Sequence, residues 1–149
     1  MNYLKVLLAG TVATGVMTAF MALVPLTGFP AMNAGDLLGA AFNGNRIIGW
    51  AAHFTAGIIF AFIYAKFINR LLPVENNIAR GAIYGILLFI LTEIVFTAVN
   101  FMGYFTWHQK ESMAIMIFGE LLACLIYGIV LGAFIKQRTD ALAPTLKKV

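Results

Sequence analysis

Four stretches of this chain are each apolar for long enough to cross a lipid bilayer, and that feature constrains the fold most tightly. They run Leu4–Leu26, Ile47–Asn69, Ala79–Phe101 and Ser112–Ile135. Each has about twenty residues, which at roughly 1.5 Å per residue covers a hydrocarbon core of about 30 Å. Backbone amides in lipid have no water to bond, so each stretch must be a helix that satisfies itself. The alternation required by a membrane β-barrel is absent. Composition agrees: 62% of the residues are hydrophobic and 11% charged, against about half and a quarter in a soluble domain. The expected fold is therefore all-α, a polytopic membrane four-helix bundle forming a single transmembrane domain over residues 1–149. Lys5 followed by an apolar run could open a signal peptide, but the run is too long for one and reads as a span.

The connections complete the topology. Lys5, Lys66, Arg70, Arg80, Lys136, Arg138, Lys147 and Lys148 fall on one side, and only Arg46 and Lys110 on the other. This bias places both termini in the cytoplasm. Trp50, Tyr104, Phe105 and Trp107 are then expected at the outer interface. In the first connection Gly28 and Pro30 break the helix. Asn33 reads as an N-cap with Asp36 in the first turn, so Ala34–Phe42 is expected as a short outer interfacial helix or lid, ended by Asn43-Gly44-Asn45. Pro73 and Asn76-Asn77 mark a cytoplasmic turn. The tail 136–149 is polar, suited to touching anionic lipid.

Lipid offers no hydrophobic drive between helices, so they meet through small residues. The second span carries Gly57, Ala61 and Ala65 at steps of four below His53, on one face. The third carries Gly81 and Gly85, and the fourth Gly128 and Gly132, each a GxxxG. On the first, Thr11, Gly15 and Ala19 are expected to face a neighbour, with Thr11, Thr14 and Thr18 bonding their own helix carbonyls. A shift of 67 residues lays His53 on Glu120, Gly57 on Cys124, Ala61 on Gly128 and Ala65 on Gly132, and one of 70 lays Gly15 on Gly85. Two helical hairpins repeated in parallel follow from this.

Three ionisable groups lie within the spans: His53, Glu93 and Glu120. Counting from the helix ends puts all of them roughly 9–12 Å below the outer boundary. A carboxylate at that depth costs a few kcal/mol, so it should face the bundle interior and find a partner. A hydrogen-bonded knot fixing helix register would satisfy this. So would a proton or cation relay, or a metal site in which one imidazole and two carboxylates hold zinc, iron or manganese. Met17, Met21, Met113 and Met116 with His53 and Cys124 suggest Cu(I), although methionine in apolar helices is usually packing. No nucleophile–base arrangement, phosphate loop or dinucleotide fingerprint appears, and no basic block of the nucleic-acid-binding kind. The composition names no cofactor.

The pattern Gly10-x4-Gly15-x-Met17-Thr18, the short Asp36-bearing helix and His53-x3-Gly57 together resemble small uncharacterised four-span membrane proteins of bacteria. The resemblance covers roughly the first two spans. It implies a bacterial cytoplasmic membrane and a four-span fold, and brings no activity with it. Two functions follow from the residues themselves. One is a structural or accessory component that associates with itself or with a larger membrane complex through small-residue faces. The other is a small proton- or cation-handling protein that uses His53, Glu93 and Glu120.

Overall fold

A computed structural model of the chain describes residues 2–28, 33–101 and 113–136. Helix α1 spans Tyr3–Leu23 and tightens into a 3-10 turn at Val24–Thr27. Then come α2, Ala34–Ala40; α3, Arg46–Ile63; α4, Asn77–Phe101; and α5, Met113–Phe134. Helix α3 continues through a π-helical turn, Tyr64–Ile68, into a last turn at Asn69–Leu71. Four of these helices are long and apolar enough to cross a membrane, and the chain is a multi-pass membrane protein. Pro30, Tyr104, Phe105, Trp107, Lys110 and the tail beyond Lys136 lie outside the described residues.

Asparagine starts four of the helices. The side-chain oxygens of Asn2, Asn33, Asn45 and Asn76 accept from the backbone amides of Lys5, Asp36, Ile47 with Ile48, and Ile78 with Ala79 respectively. Each cap satisfies amides that the first turn leaves without an intrahelical partner. The α1 extension stops at Gly28, whose φ of 85° is left-handed. Asn43 and Gly44 also take positive φ, and Gly44 N–H donates to Gly39 O at 2.9 Å, closing α2 in a Schellman-type turn.

Helix α2 packs against the first turns of α3. Gly35 lies against the Trp50 ring, Gly39 against the Asn45–Arg46 backbone, and Gly49 against Gly35 O and Gly39. Trp50 is thus half-buried under α2. Arg46 Nε pairs with the Asp36 carboxylate across the same joint, but both side chains are more than half exposed or close to it, at 63% and 50%. An exposed pair of this kind contributes about 0.5 kcal/mol. Asp36→Asn is therefore expected to shift the unfolding midpoint in detergent by no more than a degree or two, since backbone contact holds α2 in place.

The long helices pack in the order α3, α1, α5, α4. The α1–α3 and α4–α5 hairpins use one contact scheme. In the first, Gly57 meets Thr14 and Gly10 meets Ala61; in the second, Gly85 meets Cys124 and Gly81 meets Gly128. The first helices of the two hairpins therefore correspond at an offset of 71 residues, with Thr14 matching Gly85, where the sequence suggests 70 and Gly15. Gly15 has open space beside it, while Thr11 and Ala19 are exposed. The buried face of α1 is Val6, Ala9, Gly10, Ala13 and Thr14, one position away from the expected stripe. Helix α1 is apolar on all sides, so periodicity does not choose its inner face. Thr11 and Thr14 do bond back, to Leu7 O at 3.0 Å and Gly10 O at 2.8 Å; Thr18 does not.

Burial is uneven along the membrane normal. The core cluster of Val6, Ala9, Ala13, Ala61, Tyr64, Tyr84, Leu88, Tyr127, Leu131 and Ile135 occupies the end that holds Tyr3, Leu71, Asn77 and Phe134, here called the basal end. Toward the opposite, clasp end, which carries α2, helix α4 has no buried residue between Phe89 and Ala98, and α1 has none between Gly15 and Leu23. The bundle is more fully buried at its base than at the clasp end.

Candidate functional site

Two groups of polar side chains lie in the clasp half of the bundle. The first lies between α1 and α3. His53 Nε2 is 3.1 Å from Thr18 Oγ1, and the imidazole sits between Trp50 and Phe54, both edge-on with ring centroids 5.8 Å away. His53 is buried because the neighbouring turn of α1 lies over it, and Thr18 is the one α1 threonine that can meet it.

The second group lies between α4 and α5. Glu93 and Glu120 are half-buried and close enough for the Glu93 charge to act on the Glu120 carboxyl. Thr92 Oγ1, on the same helix as Glu93, donates to Phe89 O at 2.9 Å. Gly81 and Gly85 let α4 approach the α5 backbone at Gly128 and Cys124. That close approach brings the next turns within reach of each other.

The structure thus places Glu93 within electrostatic range of Glu120, and His53 among Thr18, Trp50 and Phe54. The three residues do not assemble the expected metal set. Among the described residues no group of three or more His, Cys, Asp and Glu side chains is placed to hold a metal ion. His53 turns toward α1, where it meets Thr18, whereas the glutamates belong to the other hairpin. Met17 packs against the core cluster, as a packing side chain does.

Sequence reasoning missed a third polar group, at the base. Arg80 is fully buried. Its Nη1 donates to Asn69 Oδ1 at 2.8 Å and to Asn77 Oδ1 at 3.0 Å, and its Nη2 donates to Val74 O. Asn69 Nδ2 reaches Lys136 O at 3.5 Å, which ties the end of α5 to the α3–α4 turn. Above this knot, Tyr84 Oη donates to Phe60 O at 2.8 Å and Tyr127 Oη to Gly57 O at 2.5 Å. These bonds span the gap between α3 and the α4–α5 hairpin. The fixed fork of an arginine suits several carbonyl acceptors at once. An Arg following two asparagines at a helix start was the available signal.

A family model, described only as a family of unknown function, matches residues 1–144. No curated protein and no solved structure matches the chain.

Proposed function

Because the chain belongs to this family of unknown function, DUF6789, the geometry must supply the activity, and we propose that the protein handles protons or small cations through Glu93 and Glu120. The observation that carries this reading is two half-buried carboxyls on the packed helices α4 and α5, within electrostatic range of each other. A charged side chain at the bilayer centre costs about 3 kcal/mol or more. Two like charges add repulsion, so a carboxyl pair is poor glue unless a proton or cation lies between them. Register glue is better supplied by the Arg80 knot, where donors meet acceptors. His53 and Thr18 lie in the same clasp half and form a second polar station there.

The bias of Lys5, Lys66, Arg70 and Lys136 to the base supports a cytoplasmic basal end and a clasp end facing outward across a bacterial inner membrane. A structural or accessory role through small-residue faces draws less support, because Gly57, Gly81, Gly85, Gly128 and Gly132 are each occupied by neighbouring residues of the same chain.

The test is ion flux in proteoliposomes holding an internal pH dye or cation dye. Wild-type protein is expected to dissipate an imposed gradient. Glu93→Gln and Glu120→Gln are each expected to reduce that flux at least about a hundredfold, as loss of a proton-transfer group does, while each variant stays folded in detergent. Variants that keep wild-type flux, or a wild type that moves neither protons nor cations, would refute the assignment.

A further inference from the structure

The threonines of α1 are of two kinds. Thr11 and Thr14 give their hydroxyl protons to their own helix, at Leu7 O and Gly10 O, four residues back. A threonine in an apolar helix ordinarily does this, since lipid offers its hydroxyl nothing else. Thr18, one turn above Thr14, departs from the pattern. Its Oγ1 turns to His53 Nε2 at 3.1 Å, and among the described residues that is the bond it makes.

A hydroxyl has a single proton to give. If Nε2 carried a hydrogen, it would occupy the line to Oγ1, and the Thr18 proton would have no acceptor among the described residues. Donation from Thr18 to a bare Nε2 satisfies both groups. The neutral ring then carries its own hydrogen on Nδ1, because the bond at one nitrogen decides which nitrogen is protonated.

The other contacts of the ring are aromatic, with Trp50 and Phe54. Charged groups of the neighbouring elements stand elsewhere. Helix α1 has no ionisable side chain above Lys5. On α2, Asp36 pairs with Arg46, which is about two turns above His53, and Tyr64 is about three turns below it on α3. Glu93 and Glu120 belong to α4 and α5. Among the described residues no ion pair reaches the imidazole. An aliphatic pair would join α1 to α3 about as well, since one neutral hydrogen bond adds little net stability. What an imidazole adds is a nitrogen that binds a proton near neutral pH, and an ionisable side chain inside a span points to such a use.

We propose that His53 is a proton-binding site and that Thr18 is its positioning residue, holding Nε2 bare and ready to accept. The site stands on α1 and α3 and goes beyond the glutamate reading. Hydronium supplies the proton and leaves as water, and one N–H bond forms at Nε2. The bond to Thr18 then reverses. Nε2 donates, Oγ1 accepts with a lone pair, and the hydroxyl hydrogen turns away about its C–O bond. One hydrogen bond therefore joins the two side chains in either charge state.

The experiment is nitrogen NMR in micelles on protein labelled at the histidine ring nitrogens. The signals of His53 are those lost in His53→Gln. They are followed over the pH range in which circular dichroism shows intact helices. At alkaline pH the wild type is expected to hold its hydrogen on Nδ1, in about fivefold excess over the other tautomer. On acidification it is expected to gain the second N–H reversibly. Thr18→Ser, which keeps the hydroxyl, is expected to behave as wild type, and Thr18→Val to lose the tautomer excess. A hydrogen on Nε2 at alkaline pH, or a ring that never gains a second N–H while folded, would overturn the proposal. So would a tautomer excess unaltered in Thr18→Val, which would mark the bond as structural only. Absence of ion flux from the wild type in proteoliposomes would refute the glutamate reading and leave this site standing, because these spectra need no transport.

Discussion

Gly81→Leu is expected to destabilise the protein by about 4 kcal/mol or more. Even a methyl group at this position would run into Gly128 O and crowd Gly128 C and Gly132 Cα, at 2.9 and 3.0 Å. These are backbone atoms, which cannot rotate aside as a flexible side chain would. Gly128 faces the same difficulty in reverse, since its own Cβ would meet Gly81 O. The contact between the two backbones is what association in lipid depends on, because lipid tails compete equally well for any larger apolar surface. Forcing α4 off α5 also separates Glu93 from Glu120, so function and stability fail together. Gly15→Leu is the control: nothing lies within 4 Å of a Cβ there, and the added leucine faces lipid. Reversible unfolding in mixed micelles, followed by circular dichroism, should show a large loss for Gly81→Leu and about none for Gly15→Leu. Equal losses would mean that leucine in a span is harmful for a reason other than backbone contact.

Arg80→Leu is the second large effect. The side chain is fully buried and serves Asn69 Oδ1, Asn77 Oδ1 and Val74 O. Leucine fills much of the volume and leaves these acceptors stranded, at about 1–3 kcal/mol each where no water reaches them. A total near 3–5 kcal/mol is expected, as for breaking a buried charged network by removing one partner. Arg80→Lys should recover only part of it. An ammonium keeps the charge but lacks the planar fork that meets separate acceptors in fixed directions. Amide hydrogen exchange should locate the damage: protection is expected to fall around the α3–α4 turn and the last turn of α5, joined here through Asn69 and Lys136 O, and to persist at the α2–α3 joint. Uniform loss of protection across all helices would contradict a local role for the knot.

The reach of the sequence differs by kind of question. The four spans, the Asn33 cap and the short second helix were legible because length, hydropathy and capping chemistry are local properties. For His53, Glu93 and Glu120 a count of residues along each axis gives only an expected depth. What a count cannot give is the direction in which a side chain leaves that axis. On α1, apolar all round, the inner face fell one residue from the expected one. His53 met Thr18, on the other hairpin from the glutamates. Arg80 read as a topological charge because an arginine beside a span usually sits at the water boundary. Only the fold shows that a turn of asparagines and backbone carbonyls encloses it.

The π-helical turn at Tyr64–Ile68 has a consequence for how the chain can vary. Asn69 N–H bonds Tyr64 O, five residues back. In an unbroken α-helix a five-residue step would point the two side chains about 140° apart. The wider turn acts as a phase corrector, inserting one residue so that Tyr64 and Asn69 both face inward. Deleting a single residue there would keep the hydrophobic length almost unchanged and yet swing the asparagine out from under the arginine. In this stretch, then, alignment of the lower helix with the upper is set by residue number as much as by residue type, and a one-residue indel should be harder to accept than many substitutions.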